Sequence, residues 1–189
     1  MKLFFDTEFT GLHQNTTLIS IGIVALDGRY FYVEFSDYNK AQVNDWIQEN
    51  IINNLLYNDK DTRKISYYDT DVNNNYVPFY VSLKNETNVI LHELKHWLQQ
   101  FDGELQIWSD CLAYDWVLFN QLFGGAQNIP SNINYIPMDI CTSFYDKGID
   151  PDISREDFID NVVDGDKHNS LYDVMVIREC YLKLYHEKL

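Results

Sequence analysis

The segment Lys2-Leu-Phe-Phe-Asp-Thr-Glu-Phe-Thr-Gly-Leu12 constrains the fold more than any other, because an apolar run there ends in two carboxylates, Asp6 and Glu8. The run reads as a buried strand over Leu3–Phe9, and side chains two apart on a strand leave the same face. Any sheet built on it carries a pair of acids together at one end. Two ionised carboxylates about 4 Å apart repel by roughly 4 kcal/mol at an effective dielectric near 20, so a cluster of several stays charged only with dications among it. Oxygen-only ligands favour magnesium or manganese over zinc. Taken alone, the pair reads as a strand-end turn residue beside a solvated acid.

Two later segments answer it. His168-Asn-Ser-Leu-Tyr-Asp173 opens the last amphipathic stretch, where Val174, Ile177, Tyr181 and Leu184 recur at helical spacing and define a buried face. Asp173 stands at the edge of that face, and His168 falls at the helix start after the loop Asp164-Gly-Asp-Lys167. A neutral imidazole in that place can take a proton from water. Between the two ends of the chain, Leu105-Gln-Ile-Trp-Ser109 reads as a short buried strand, and Tyr114–Phe123 as a helix stopped by Gly124-Gly125. Asp115 falls in the first turn of that helix, where the dipole favours a carboxylate. Asp110 competes for the same role, and Asp139 is a further acid near the sheet, placed to cap a helix over Ile140–Lys147.

Asp6-Thr-Glu-Phe-Thr-Gly-Leu12, Tyr114-Asp115 and His168-x-x-x-x-Asp173 together resemble the three motifs of the DEDD exonucleases, and the histidine five residues before the last aspartate is similar to the DEDDh branch. Within it, the opening strand, the compact size and Leu18–Gly28 resemble small bacterial and phage exoribonucleases related to ribonuclease T. Phe9 replaces the usual threonine, and the second motif lacks the common Asn-x-x-Phe-Asp form. The resemblance implies a metal-dependent 3′→5′ exonuclease releasing nucleoside 5′-monophosphates. It assigns Asp6, Glu8, Asp115 and Asp173 to two divalent cations, Mg2+ or Mn2+, and His168 to the general base. It points Phe9, Thr10, Gly11 and Leu12 at the terminal nucleotide, where an apolar side chain can stack on a base.

The formal net charge of −15 opposes tight binding of long duplexes, since phosphate binding draws on lysine and arginine. Short or single-stranded 3′ ends, as free RNA or an RNA 3′ overhang with DNA as an alternative, are therefore the expected substrates. Lys167, Arg155 and Lys147 are the candidate backbone contacts. A proofreading-like DNA exonuclease, a hydrolase of small phosphodiesters or dinucleotides, and a non-catalytic nucleic-acid-binding module are the other function classes. The apolar run after Lys2 ends at Asp6, and no segment approaches membrane-spanning length, so a soluble cytoplasmic protein with no membrane partner is expected. Cys111, Cys141 and Cys180 are widely spaced with no Cys-x-x-Cys pair and read as reduced, partly buried thiols. Similar enzymes are commonly homodimers, which makes a homodimer a possible assembly here.

With 189 residues, 46% of them hydrophobic, the chain can bury one core. Strands are predicted over Leu3–Phe9, Leu18–Leu26 and Tyr30–Phe35, with Asp27-Gly28 as a hairpin signal. A helix over Gln42–Asn54 follows, then an irregular insertion around 57–88, either a lid or an ordered surface piece with a small hairpin at Val77–Val81. Beyond it come a helix over Asn88–Phe101, a strand over Asn134–Asp139 and a capping-box helix from Ser154 to about Val163. The predicted fold class is α/β: a ribonuclease H-like mixed β-sheet flanked by helices, in a single domain spanning 1–189.

Overall fold

The structure, a computed structural model, describes residues 1–57, 63–70 and 76–186. β1 (Lys2–Phe9) pairs antiparallel with β2 (Leu18–Ala25), which pairs antiparallel with β3 (Tyr30–Phe35). The turn between β2 and β3 places Gly28 at φ +92°, a conformation that favours glycine, while Asp27 accepts the Arg29 guanidinium at 2.7 Å. β4 (Arg63–Thr70) and β5 (Tyr76–Asn85) form an antiparallel hairpin, and β5 runs parallel to β3. On the other side of β1, β6 (Gln106–Ser109) and β7 (Met138–Asp139) add in parallel. Among the described residues the sheet has seven strands in the order β4-β5-β3-β2-β1-β6-β7. This is the α/β mixed sheet that the sequence predicts, with the acid-bearing strand inside it.

Every residue of β2 is buried, which requires helices on both faces. α2 (Thr87–Leu98) and α3 (Ala113–Leu122) supply Trp97, Leu94 and Phe119 to a core with Leu3, Phe5, Ile21 and Ile23. On the opposite face α4 (Ile140–Asp146) and α6 (Ser170–Tyr185) supply Phe144, Val174, Ile177 and Tyr181 against Phe4 and Val24. The alternation along β1 therefore sends Phe4, Asp6 and Glu8 toward α6, and Phe5, Thr7 and Phe9 toward α3. Each fully buried Phe or Leu contributes about 1.5–3 kcal/mol, so this split of faces is strongly enforced.

The approach of α6 is set by Gly22. It pairs with Asp6 across the ladder, and a Cβ there would overlap the Ser170 carbonyl. Ser170 Oγ and Ser20 Oγ, 2.9 Å apart and buried, fix the same contact. The first turn of α6 thus rests on the backbone of β2 beside the carboxylates of β1.

Several predicted elements differ. Gln42–Asn54 is not one helix: α1 spans Asp45–Asn50, between 3-10 turns at Lys40–Gln42 and Ile52–Asn54. Val43 is extended, and the Asn44 side chain accepts from Ile47 N at 2.9 Å, which starts the helix afresh. The apolar face survives, with Ile47 and Ile51 buried on Ile19. The strand predicted over Asn134–Asp139 shrinks to Met138–Asp139, because Pro137 offers no amide and Tyr135 is 72% exposed. The capping-box helix, α5, stops at Phe158 rather than near Val163, and Val162 is 92% exposed. Within 57–88 lie the β4–β5 hairpin and the start of α2. Val77–Val81, expected to form a small hairpin by themselves, lie inside the single strand β5, and 58–62 and 71–75 fall outside the described residues. Among the described residues no helix is long and apolar enough to cross a membrane.

Candidate active site

Where β1 ends, an open cleft of about 330 Å³ is bounded by β1, the loop after β6, α3, α5 and the start of α6. Asp6, Glu8, Asp115, His168 and Asp173 all line it, as do Phe9 and Leu12. Ligand atoms of Glu8, His168 and Asp173 lie within 4.8 Å of one another, a spacing that could hold a metal ion. Asp6 stands two residues before Glu8 on the same face, and its buried Oδ2 has no hydrogen-bond partner.

Asp115 arrives from the other face. Thr7 donates to Asp115 Oδ1 from its amide at 3.1 Å and from its hydroxyl at 2.5 Å. Thr7, between the two acids of β1, therefore ties the first turn of α3 to the strand. Sequence reading missed this role, although alternation alone assigns Thr7 to the α3 side. Phe9, on that same side, stacks on Tyr114 with centroids 5.5 Å apart.

The carboxyls share a displacement upward. Asp6 is raised well above the ordinary aspartate range by burial, then by Glu8, Asp173, Asp115 and Asp110. Glu8 rises to about 8 from burial and from Asp173 and Asp115. Asp173 rises to about 7, mainly through burial, with the His168 backbone opposing. Asp115 rises to about 6 through burial, against the Thr7 hydroxyl, which favours the ion. Burial and acidic neighbours both act against ionisation of these carboxyls, and the Lys167 ammonium works the other way on Asp173. Asp110, the rival of Asp115, also lines the cleft but has its own counter-ion, with Arg155 Nε at 3.0 Å from Oδ2. Asp139 caps α4, accepting from Cys141 N at 2.8 Å.

His168 sits at φ +64°, a left-handed conformation uncommon outside glycine. It is held there from α1 and the turn after it. Asn54 Nδ2 donates to the Lys167 carbonyl at 2.9 Å, Asn169 Nδ2 donates to the Asn54 carbonyl at 2.7 Å, and the Trp46 ring meets the imidazole edge-on at 5.2 Å. Burial and the nearby Lys167 ammonium lower the imidazole pKa, favouring the neutral base, while Glu156 opposes them.

Thr10 and Gly11 do not line the cleft. Thr10 is buried, its hydroxyl donating to Gln42 Oε1 at 2.6 Å and accepting from Thr17 N at 2.9 Å. Gly11, at φ +148°, shapes the turn that presents Leu12, which is 78% exposed. Of the basic candidates, Arg155 is engaged with Asp110, the Ile153 carbonyl and Cys141, and Lys167 reaches the rim while paired with Glu156 at 3.3 Å. Lys147 stands away from the cleft, over the Tyr185 ring.

Residues 1–182 match the family model described as the 3′-5′ exoribonuclease Rv2179c-like domain. Two curated proteins of Mycobacterium tuberculosis strains, named 3′-5′ exoribonuclease Rv2179c and 3′-5′ exoribonuclease MT2234.1, are each 25% identical over 150 residues, 78% of this chain and 76% of theirs. The chain therefore belongs to the Rv2179c-like 3′-5′ exoribonuclease domain family, within the DEDDh exonuclease superfamily, and is a hydrolase.

Proposed function

We propose that this enzyme removes nucleotides one at a time from single-stranded or overhanging 3′ ends of RNA. Asp6, Glu8, Asp115 and Asp173 would hold two divalent cations of the magnesium or manganese class, and His168 acts as general base. The observation that carries the reading is the convergence of Glu8, His168 and Asp173 within 4.8 Å, with the buried Asp6 Oδ2 left without a hydrogen-bond partner. An all-oxygen donor set whose members are all pushed toward the protonated form fits hard dications.

When bound, such cations supply positive charge that stabilises the attacking and leaving oxygens of an in-line displacement. The chain's own residues do the rest. His168, neutral and partly exposed at the rim, takes the proton of the attacking water. Thr7 holds Asp115 against the strand, on the cleft that Asp6, Glu8 and Asp173 also line. Phe9, braced by Tyr114, and exposed Leu12 offer an apolar surface for the last base. Lys167 is the basic group best placed for a phosphate.

The formal charge of −15 favours short substrates and supports a second reading, hydrolysis of dinucleotides. Thiols that form no disulfide fit a reducing, cytoplasmic setting. A homodimer, implied by the resemblance, would set a second chain's basic residues near the cleft.

A time course on 5′-labelled RNA and the matching DNA, in manganese, magnesium or EDTA, tests the assignment beside Asp6→Ala. A ladder shortening by single nucleotides, dependent on metal and lost in Asp6→Ala, is expected, with RNA the faster strand. Cleavage of dinucleotides with no shortening of longer strands would establish the second reading instead.

A further inference from the structure

Outside the acid cluster, one pair of reactive side chains is brought together by the sheet itself. β6 and β7 run parallel with Ser109 opposite Asp139, so the residues two beyond each, Cys111 and Cys141, leave the strand ends at the same level. Their sulfurs are 3.8 Å apart. Cys111 is exposed, not partly buried as the sequence suggests, and it lines the cleft from a left-handed backbone position at φ +46°. Cys141 lies behind it in the first turn of α4, and Arg155 Nη2 donates to its sulfur at 2.9 Å.

We propose that Cys111 and Cys141 form a modification site that reacts with low-molecular-weight disulfides of the glutathione class and closes to an intramolecular disulfide at the cleft rim. In the first step the Cys111 thiolate attacks one sulfur of the disulfide, whose S–S bond breaks, and one thiol leaves with a proton. In the second step the Cys141 sulfur, having lost its proton to solvent, attacks Cys111 and displaces the second thiol. Two protein thiols are oxidised and one external disulfide is reduced to two thiols.

The two sulfurs are unequal in a way that orders these steps. Cys111 is accessible, whereas burial pushes the Cys141 thiol up to about 12, with the Arg155 guanidinium pulling the other way. Ring closure is therefore the slower step, and Arg155 supplies the charge that favours the Cys141 thiolate. The bond would join the loop entering α3, which carries Asp115, to the start of α4. Cys180, buried with its sulfur directed at the Arg155 carbonyl, stays outside the reaction.

The test is intact mass and non-reducing peptide mapping of the folded protein after incubation with oxidised glutathione. The expected result is a transient adduct of one glutathione, replaced by a species lighter than the reduced chain by two hydrogens, with Cys111 and Cys141 in one linked peptide. Cys141→Ser should stop at the adduct, Cys111→Ser should form no adduct, and Cys180→Ala should behave as the parent. Circular dichroism establishes that each variant is folded. A parent that keeps all its thiols, an adduct that never closes, or a linkage involving Cys180 would overturn the proposal. None of these readouts depends on nuclease activity.

Discussion

Glu8 and Glu34 occupy one rung of the same sheet, Glu8 opposite Ser20 and Ser20 opposite Glu34, yet they have opposite surroundings. Both are buried, at 8% and 0% exposure, and burial raises the pKa of both. Glu34 is answered by protein. Its Oε1 accepts from the Tyr32 hydroxyl at 2.8 Å and the Tyr57 amide at 2.9 Å, and Oε2, which accepts no hydrogen bond, has Lys84 Nζ at 3.8 Å. Glu8 faces the acids Asp173 and Asp115, with His168 beside it. A buried carboxylate alone does not mark a site; the sign of its neighbours does. Glu34 is met by two donors and a lysine that favour its charge, whereas Glu8 is met by acids that oppose it.

Exchanging each acid for a neutral side chain should split activity from stability in opposite directions. Glu8→Gln keeps the shape and removes an acid whose ionisation burial and its neighbours oppose, so the metal-free protein should melt higher while RNA hydrolysis falls at least as far as on loss of a catalytic base. For His168→Ala that loss is expected to be about 10²–10⁴-fold, with manganese still raising the melting temperature. Full activity in either variant would remove that residue from the chemistry. Glu34→Ala should do the reverse. It leaves the Tyr32 hydroxyl and the Tyr57 amide without their acceptor, at a cost of about 1–3 kcal/mol, or roughly 2–4 °C per kcal/mol at this size. The specific activity of the folded fraction should remain near that of the parent. If Glu34→Ala lost activity without losing stability, the contrast between the two acids would be broken.

The same contrast predicts a pH dependence. Glu8 at about 8, Asp173 at about 7 and Asp115 at about 6 hold protons in the folded chain that the unfolded chain, with values of 4.5 for Glu and 3.8 for Asp, has released. Where the folded state binds more protons, stability falls as pH rises. Differential scanning fluorimetry in EDTA should therefore show a melting temperature falling steadily from about pH 5 to about pH 8, the window between these values. Excess manganese should flatten the profile, adding about 2.7 kcal/mol at a hundredfold excess over its dissociation constant. Its benefit should be larger at the alkaline end. An equal manganese shift at both ends would mean that the raised carboxyls are not the groups that bind it.

The strands, the split of faces and the clustering of the acids were legible because period-two patterning along β1 fixes which residues share a side. Phe4, Asp6 and Glu8 could only go together once Phe5 was assigned to the other core. What escaped was carried by single backbone events and distant pairs. Val43 turns extended and breaks a helix whose apolar face is otherwise continuous. Pro137 removes an amide and shortens β7. The strand over Tyr76–Asn85 is rich in polar and aromatic residues without a clean alternation, so its place beside β3 depends on a partner far away in sequence. The Thr7–Asp115 tie joins residues 108 apart, and no local rule names such a pair.

The smallest effect expected belongs to a residue that touches no carboxylate. Asn54 reaches across from the turn after α1 to the Lys167 carbonyl and so helps hold His168 at its left-handed φ of +64°. Asn54→Ala removes that side-chain bond, together with the one Nδ2 donates to the Asn50 carbonyl within its own turn, but keeps the backbone carbonyl that receives Asn169. One net hydrogen bond is worth about 0.5–1.5 kcal/mol, which at 1.36 kcal/mol per tenfold corresponds to a rate loss of roughly two- to tenfold. The loss should fall on kcat, with KM and the manganese-induced melting shift unchanged, because the carboxylates do not depend on Asn54. A loss confined to KM would instead make Asn54 a substrate contact, and a loss of the manganese shift would show that the His168 loop and the acid cluster form one unit.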